Sequence, residues 1–454
     1  MKRYTPMGLI LLLYLGVGAL YATLTPHWQA PDEPAHYNFV RQLAGGRLPV
    51  IESTDYDQAF QGEAISAQFA PVYDVPDRYF SYEDWQPPLY YALLVPVYWL
   101  FGGALVPLRL ASLVPGAGVV ILTYAVARLV LRREMWALVA AAFVAFLPQH
   151  LAIMASVNND ALAELIIAAI VYVLVRGLSE REQSAMNSEP LTPHPHHSPF
   201  SLYPILVGFL LGLGFLTKGS VYIMAPVIGL AVLRRYWGQW ALVGRQGVVI
   251  AAAAALLAFP WWLRNSIVYG HLDIIAWQAH GDVVVGQPRT AEWFHQYGIF
   301  DTLQRFLTTT FHSFWGQFGW MGVVMPTWVY RVLLLLTVIA GVGVIAAAGK
   351  PRRPLPPSTF ILLLTLTFAL LLYLGYNITF VQHQGRYLFP ALIPLACGLA
   401  VGLGTLWDRA SHLLNHSLTI RTLWPALLPL GFILGLVGLD LLALFRFILP
   451  ALST

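Results

Sequence analysis

The chain has 454 residues, 58% of them hydrophobic and only 11% charged, with a formal net charge of +4 and a mean hydropathy of +0.64. Soluble domains carry roughly a quarter charged residues, so that class is excluded. The pI near 9.0 is no sign of a nucleic-acid partner, because the excess basic residues flank apolar runs. The single cysteine, Cys397, lies in such a run and excludes a disulfide framework within the chain.

In chain order, the first apolar run, 7–24, follows Lys2 and Arg3. It lacks a convincing small-x-small cleavage site and the chain continues as membrane, so it reads as an uncleaved first span. Further runs able to cross a hydrocarbon core of roughly 30 Å fall at 107–130, 136–154, 160–177, 201–217, 219–234, 246–263, 330–349, 358–376, 387–406 and 424–449. The expected fold is all-α, a polytopic membrane helix bundle of about 11 spans with juxtamembrane helices, in one integral membrane domain over 1–454.

The apolar stretch 89–101 is short, and its placement sets the orientation of everything after it. If it does not cross, Lys2 and Arg3, then Arg128, Arg132 and Arg133, then Arg176 and Arg181, and then Arg234, Arg235 and Arg245 share one side with Lys350, Arg352, Arg353, Arg409 and Arg421. Cytoplasmic loops collect Lys and Arg, so 89–101 is expected as a helix at the outer surface and the N-terminus inside. The long loops 25–106 and 264–329 are then outside. The segment 178–200, rich in Pro and Ser, reads as a flexible inner linker. Its His194, His196 and His197 are weak metal candidates without acids or cysteine beside them.

On this topology the unusual polar residues converge outside: Asp32, Glu33, His36, Gln86, Asn159, Asp160, Glu164, Lys218, Arg264, Gln384 and Arg386. In "APDEPAHYNFVRQLAGG", Pro34 suits a first helical position, and Tyr37, Val40, Leu43 and Ala44 give one apolar face. Gly45 and Gly46 end the helix. An amphipathic surface helix follows, with Asp32 or Glu33 as its cap. Capping alone accounts for acids here; a general base is the functional alternative. His36 lies within a turn of both and either joins a metal site or orients a carboxylate. In "SVNNDALAELI", Asn159 and Asp160 suit a cap, yet an acid in a span is a functional candidate by default. Glu164 follows one turn on. Lys218, Arg264 and Arg386 either snorkel to the interface or hold a phosphate by charge-assisted hydrogen bonds. The aromatic stretch "FHSFWGQFGWMGVVMPTW" suits an interfacial belt or the roof of a lipid cavity.

The stretches "PDEPAHYNFVRQLAGGRLPV", "QPPLYYALL", "NNDALAELI", "LTKGS", "WWLRNSIVYG", "SFWGQFGWM" and "GRYLFPAL", in this order, resemble bacterial membrane glycosyltransferases of the GT-C superfamily. Relatives there include protein O-mannosyltransferases and the aminoarabinose transferases of lipid A. The resemblance implies a bundle with a large first outer loop, and inverting transfer of a sugar from a polyprenyl-phosphate carrier on the outer face. It implies Asp32, with neighbouring Glu33, as the catalytic acid pair and Asp160 as the second-loop acid. It also implies carrier-phosphate contacts from Lys218, Arg264 and Arg386. His36, Gln86, Asn159, Glu164 and Gln384 are the further substrate-binding candidates, and Mg²⁺ or Mn²⁺ between Asp32 and Asp160 is the candidate cofactor. "DEPAH" and "NND" differ from the Asp-Glu pairs of the O-mannosyltransferases, so the acceptor does not carry over. The rival class is a lipid-linked glycan transporter or flippase, which would show repeats and a midplane site; a surface-glycan polymerase is the second rival.

Overall fold

The computed structural model describes residues 5–69, 78–186, 202–270, 272–349, 355–413 and 418–453. The His194, His196 and His197 tract lies outside them. In chain order the helices are α1 (Thr5–Leu24), α2 (Glu33–Ala44), α3 (Gln58–Ser66), α4 (Leu89–Leu100), α5 (Leu105–Leu131) and α6 (Glu134–Ala145). Then come α7 (Pro148–Met154), α8 (Asp160–Met186), α9 (Leu202–Phe215), α10 (Met224–Arg235), α11 (Trp240–Val268) and α12 (Trp277–Val283). The last are α13 (Thr290–Trp315), α14 (Thr327–Ala348), α15 (Pro357–Thr379), α16 (Leu392–Leu413), α17 (Leu418–Leu442) and the four-residue α18 (Leu449–Leu452). Among the described residues the only sheet is a two-stranded hairpin, Gln317–Phe318 with Val323–Val324.

Every expected span has a helical counterpart, but the count is revised. Among the described residues eight helical segments are long and apolar enough to cross a membrane, or nine if the bent pair α6–α7 is one span. The expected span 136–154 is α6 and α7, bent by 61° where Pro148 opens α7; a proline cannot continue the preceding helix without loss of a hydrogen bond. The expected spans 201–217 and 219–234 are shorter. The first is the 14-residue α9, about 21 Å at 1.5 Å per residue. The second is a 3₁₀ turn, Gly219–Ile223, followed by the 12-residue α10. α4 is short, as expected. α8 continues to Met186, into the segment expected as a flexible linker.

Apolar side chains gain little by meeting each other in lipid, so close backbone approach between small residues drives packing there. A Cβ on Gly402 of α16 would sit 2.0 Å from the Ala340 carbonyl oxygen of α14, and one on Gly343 would sit 2.0 Å from the Gly402 oxygen. Gly208 and Gly212 pack α9 against the Ile250 and Ala254 carbonyls of α11 in the same way.

Contacts tie the basic loops together at one end. Arg133 pairs with Asp408 at 2.6 Å, Arg234 donates to the Leu355 carbonyl at 2.7 Å, and Arg409 donates to the Ala346 carbonyl at 2.9 Å. At the other end Asp32 of the first loop meets Arg386, and Asp160 at the start of α8 meets Lys218.

Candidate functional site

The stretch around Asp32 and Glu33 separates the two acids. Glu33 is fully buried and pairs in bidentate fashion with Arg109 of α5, at 2.8 and 2.6 Å. Arg109 also donates to the carbonyls of Ala22 (3.2 Å), Thr25 (2.7 Å) and Pro26 (3.0 Å), so all five of its N–H groups are used. Glu33 Oε1 further accepts from the Val157 amide at 3.1 Å. Glu33, expected with Asp32 as part of the catalytic pair, therefore fastens the first loop to α1, α5 and the loop before α8.

Asp32 occupies the N-cap position of α2 with φ 66°, and its side chain makes no capping bond. Its carboxylate instead pairs with Arg386 at 2.5 Å and accepts from the Tyr82 hydroxyl at 3.0 Å. The left-handed backbone is uncommon for a non-glycine residue, and here it turns the carboxylate away from the helix end. Burial is the largest single influence and opposes ionisation of Asp32, but the charge and hydrogen bond of Arg386, with His36 and the Tyr82 hydroxyl, together outweigh it and hold the carboxyl below its usual range. α2 is not the exposed amphipathic helix expected: Glu33, Pro34, Ala35, His36, Asn38, Phe39 and Val40 are all buried.

A second ion pair lies in the same region. Lys218, at the tip between α9 and the 3₁₀ turn, meets Asp160 at 2.8 Å. The Asn158 side chain accepts the Asp160 amide at 2.9 Å, while the Asp160 carboxylate faces Lys218. The side chains of Asp160 and Lys218 are 22% and 19% exposed, and that of Asp32 23%, so both pairs are reachable from outside. Asp32, Arg386, Asp160 and Lys218 all act electrostatically on His36, which places them in one cluster. Burial and then the Lys218 charge push His36 down to about 3. Its neutral ring hydrogen-bonds the Tyr91 hydroxyl at 2.8 Å rather than a carboxylate.

The "QPPLYY" segment stitches these parts together. The Leu89 amide donates to the Leu216 carbonyl at 2.9 Å beside the Lys218 tip. The Tyr90 hydroxyl accepts from the Asn158 amide at 2.9 Å and bonds Ser112 of α5 at 2.6 Å. Just upstream, Gln86 donates to Glu83 at 2.8 Å. Burial and the Asp32 charge push the Glu83 carboxyl up to about 7. A carboxyl raised in the folded state binds protons that the unfolded chain has released. Its contribution to stability is therefore full below about 4.3 and is lost as pH rises through its folded value. Glu83→Gln should remove this slope. Between pH 5 and 8 the melting temperature of the wild type should fall relative to that of the variant, and parallel curves would refute a proton on Glu83.

The remaining expected residues divide. Asn159 donates to the Thr217 carbonyl at 3.3 Å, beside Lys218. Glu164 is buried against His150 at 2.9 Å, a turn inside α8. Arg264 is engaged elsewhere: it bonds the Pro49 carbonyl, Asn265 and Tyr269, and lies 4.7 Å from the centre of the Trp261 ring. Gln384 bonds Gln382 at 3.3 Å. Asp32 and Asp160 are the carboxylates expected to hold Mg²⁺ or Mn²⁺. Each carboxylate already faces a cation of the chain, and among the described residues no three His, Cys, Asp or Glu side chains group as a metal site. Sequence reasoning missed Arg109. Its signal was an arginine inside an apolar run, four residues after the run's start at Leu105.

Eight or more spans among the described residues, with two reachable ion pairs gathered at one end, define a polytopic membrane protein with a polar site at that end. Residues 87–395 match the family described as "Predicted membrane protein (DUF2142)", and the chain belongs to that family. Among curated proteins it is similar to the undecaprenyl phosphate-alpha-4-amino-4-deoxy-L-arabinose arabinosyl transferase 1 of Proteus mirabilis (strain HI4320). Identity is 24% over 352 residues, covering 76% of this chain and 53% of that protein, so the chain spans about half the length of this relative. Among solved structures it resembles ArnT from Cupriavidus metallidurans in the apo state, with TM-score 0.54 and 16% identity, over 98% of this chain and 73% of that one. It also resembles the archaeal oligosaccharyltransferase AglB from Archaeoglobus fulgidus, solved in complex with an inhibitory peptide and a dolichol-phosphate. There the TM-score is 0.54 at 16% identity, over 97% of this chain and 56% of that one. At such identity the likeness is one of fold.

Proposed function

We propose that the chain is an inverting glycosyltransferase that moves a sugar from a polyprenyl-phosphate carrier to an acceptor on the outer face of the bacterial inner membrane. The observation that carries this reading is the pairing of Asp32 with Arg386 and of Asp160 with Lys218 in one reachable cluster. The relative named as an undecaprenyl-phosphate arabinosyl transferase and the GT-C fold support the class of donor. The basic loops at the opposite end support this side and an N-terminus inside, since cytoplasmic loops collect Lys and Arg.

The carrier phosphate would sit against Arg386 and Lys218. As the bond from the anomeric carbon to the phosphate oxygen breaks, the electron pair leaves with the phosphate. Fixed cations already in place stabilise that growing charge without reorganisation. Arg386 has a buried Nε with no partner among the described residues, so it can add a hydrogen bond to phosphate while still holding Asp32. The acceptor attacks from the face opposite the phosphate, which inverts the carbon in one step. Its proton passes to the Asp32 carboxylate, which Arg386 keeps ionised.

Asp32→Asn keeps the shape of the side chain and its bond to Tyr82. It should lower transfer by about 10²–10⁴-fold with normal yield and melting temperature. Purified protein given a labelled polyprenyl-phosphate sugar and an acceptor extract reads this as acceptor-dependent release of free carrier. Wild-type rates in the variant would remove Asp32 from the chemistry. Movement of intact carrier across vesicles, without release, would establish a flippase instead.

A further inference from the structure

Above the Asp32–Arg386 pair runs a continuous set of aromatic rings that the chemistry just described does not use. Arg386 lies 5.4 Å from the centre of the Tyr387 ring. Tyr387 meets Tyr376 edge-on at 5.9 Å, Tyr376 meets Trp277 at 6.1 Å, and Trp277 meets Trp85 at 6.2 Å. His280 closes the set, 4.7 Å from Trp85 and 6.5 Å from Trp277. Four separate segments supply these rings: the end of the first loop, α12, the end of α15 and the 3₁₀ turn at Gly385–Ala391. His280 and Tyr376 both lie within electrostatic reach of Asp32, so the rings stand over the acid cluster.

Two features separate this set from an interfacial belt. Interfacial and buried tryptophans normally satisfy their N–H. Trp85 is 8% exposed, yet its Nε1 has no partner among the described residues. The adjacent Gln86 is 4% exposed, donates to Glu83, and leaves its Oε1 without a partner there as well. A buried donor and a buried acceptor left without partners on consecutive residues cost free energy unless something bonds them. The second feature is access. Trp277 is 49% exposed and also lines an open depression with Leu272, Asp273, Ile275 and Gln278.

We propose that Trp85, Gln86, Trp277, His280, Tyr376 and Tyr387 form a pyranose-binding subsite at the mouth of the cluster. A pyranose presents a face of C–H bonds, which suits the electron-rich faces of aromatic rings. Its rim of hydroxyls both donates and accepts, as Trp85 Nε1 and Gln86 Oε1 require. A lipid tail would satisfy the rings but neither orphan. The proposal rests on the reading of the protein as a sugar transferase, and the sugar comes either from the carrier or from the acceptor.

The test uses the full chain in nanodiscs and two titrations. The first compares undecaprenyl phosphate bearing a hexose, a pentose, a 6-deoxyhexose or an N-acetylhexosamine with undecaprenyl phosphate bearing none. The second follows tryptophan fluorescence as the methyl glycosides of the same four sugars are added, with and without the bare carrier. At least one sugar should bind with a gain over its control: about tenfold over bare carrier in the first titration, or a saturable quench in the second. Trp277→Ala should erase that gain. Trp85→Phe, which keeps the ring and removes only the N–H, should reduce it several-fold. Both variants should bind bare carrier within twofold of the wild type. A gain in the first titration alone assigns the donor sugar, and in the second alone the acceptor. A gain that survives both substitutions, or no gain with any sugar, overturns the subsite. Failure of the wild type to bind bare carrier would count against the carrier reading instead, and the carrier-free glycoside titration would still decide the subsite.

Discussion

Replacing Arg386 by alanine should lower sugar transfer by about 10²–10³-fold, the usual effect of removing one preorganised donor to a developing oxyanion. The loss has two physical sources. The guanidinium is the cation nearest Asp32, at 2.5 Å, and its buried Nε has no partner among the described residues, so it is the group best placed to meet the leaving phosphate. It also holds the Asp32 carboxyl low. Without it, burial raises that carboxyl, and a fraction of the enzyme enters each cycle with the base protonated. The pH–rate profile separates the two. Loss of phosphate stabilisation lowers the whole curve, whereas loss of control over Asp32 moves its acid limb to higher pH. Arg386→Lys should restore the acid limb more than the rate, since a lysine replaces the charge but not the planar fork. An alanine variant with wild-type rate and an unshifted limb would leave the phosphate to Lys218 alone and refute the assignment.

How far the site was legible in the sequence follows from the range of each interaction. Asp32, Asp160, Lys218 and Arg386 converge because the alternation of apolar spans and basic loops is a local pattern, and it assigns each residue to an end of the bundle without knowledge of any contact. Pairing is another matter. Nothing local tells Glu33 that Arg109, 76 positions away, will take its carboxylate, and so the two adjacent acids looked equivalent. Arg264 sits at the same end by the same pattern, yet its contacts are with Pro49, Asn265 and Tyr269. A topological argument resolves ends, not neighbours. The 61° bend between α6 and α7 was hidden because hydropathy averages across Pro148. The aromatic set escaped because its rings come from four segments far apart in the chain, each of which supplies only one or two of them.

The Glu33–Arg109 pair should be where the fold is most vulnerable to a single change. Both side chains are at most 1% exposed, and every donor of Arg109 is used. Glu33→Gln keeps the volume but removes the charge, and it turns one carboxylate oxygen into an amide group that faces the guanidinium with hydrogens of its own. Breaking one side of a buried pair costs about 3–5 kcal/mol, because the remaining charge is left without compensation in a low dielectric. The expected result is a large fall in the yield of monodisperse protein and in melting temperature, in contrast to Asp32→Asn, which should fold normally. Replacing Glu33 and Arg109 together by methionine should cost less than the two single changes added, since no uncompensated charge remains. The carbonyls of Ala22, Thr25 and Pro26 then lose their donor, so recovery should be partial. If Glu33→Gln instead melts like the wild type and fails only in transfer, Glu33 belongs to the chemistry, and the division of labour between the two adjacent acids is the reverse of the one their contacts describe.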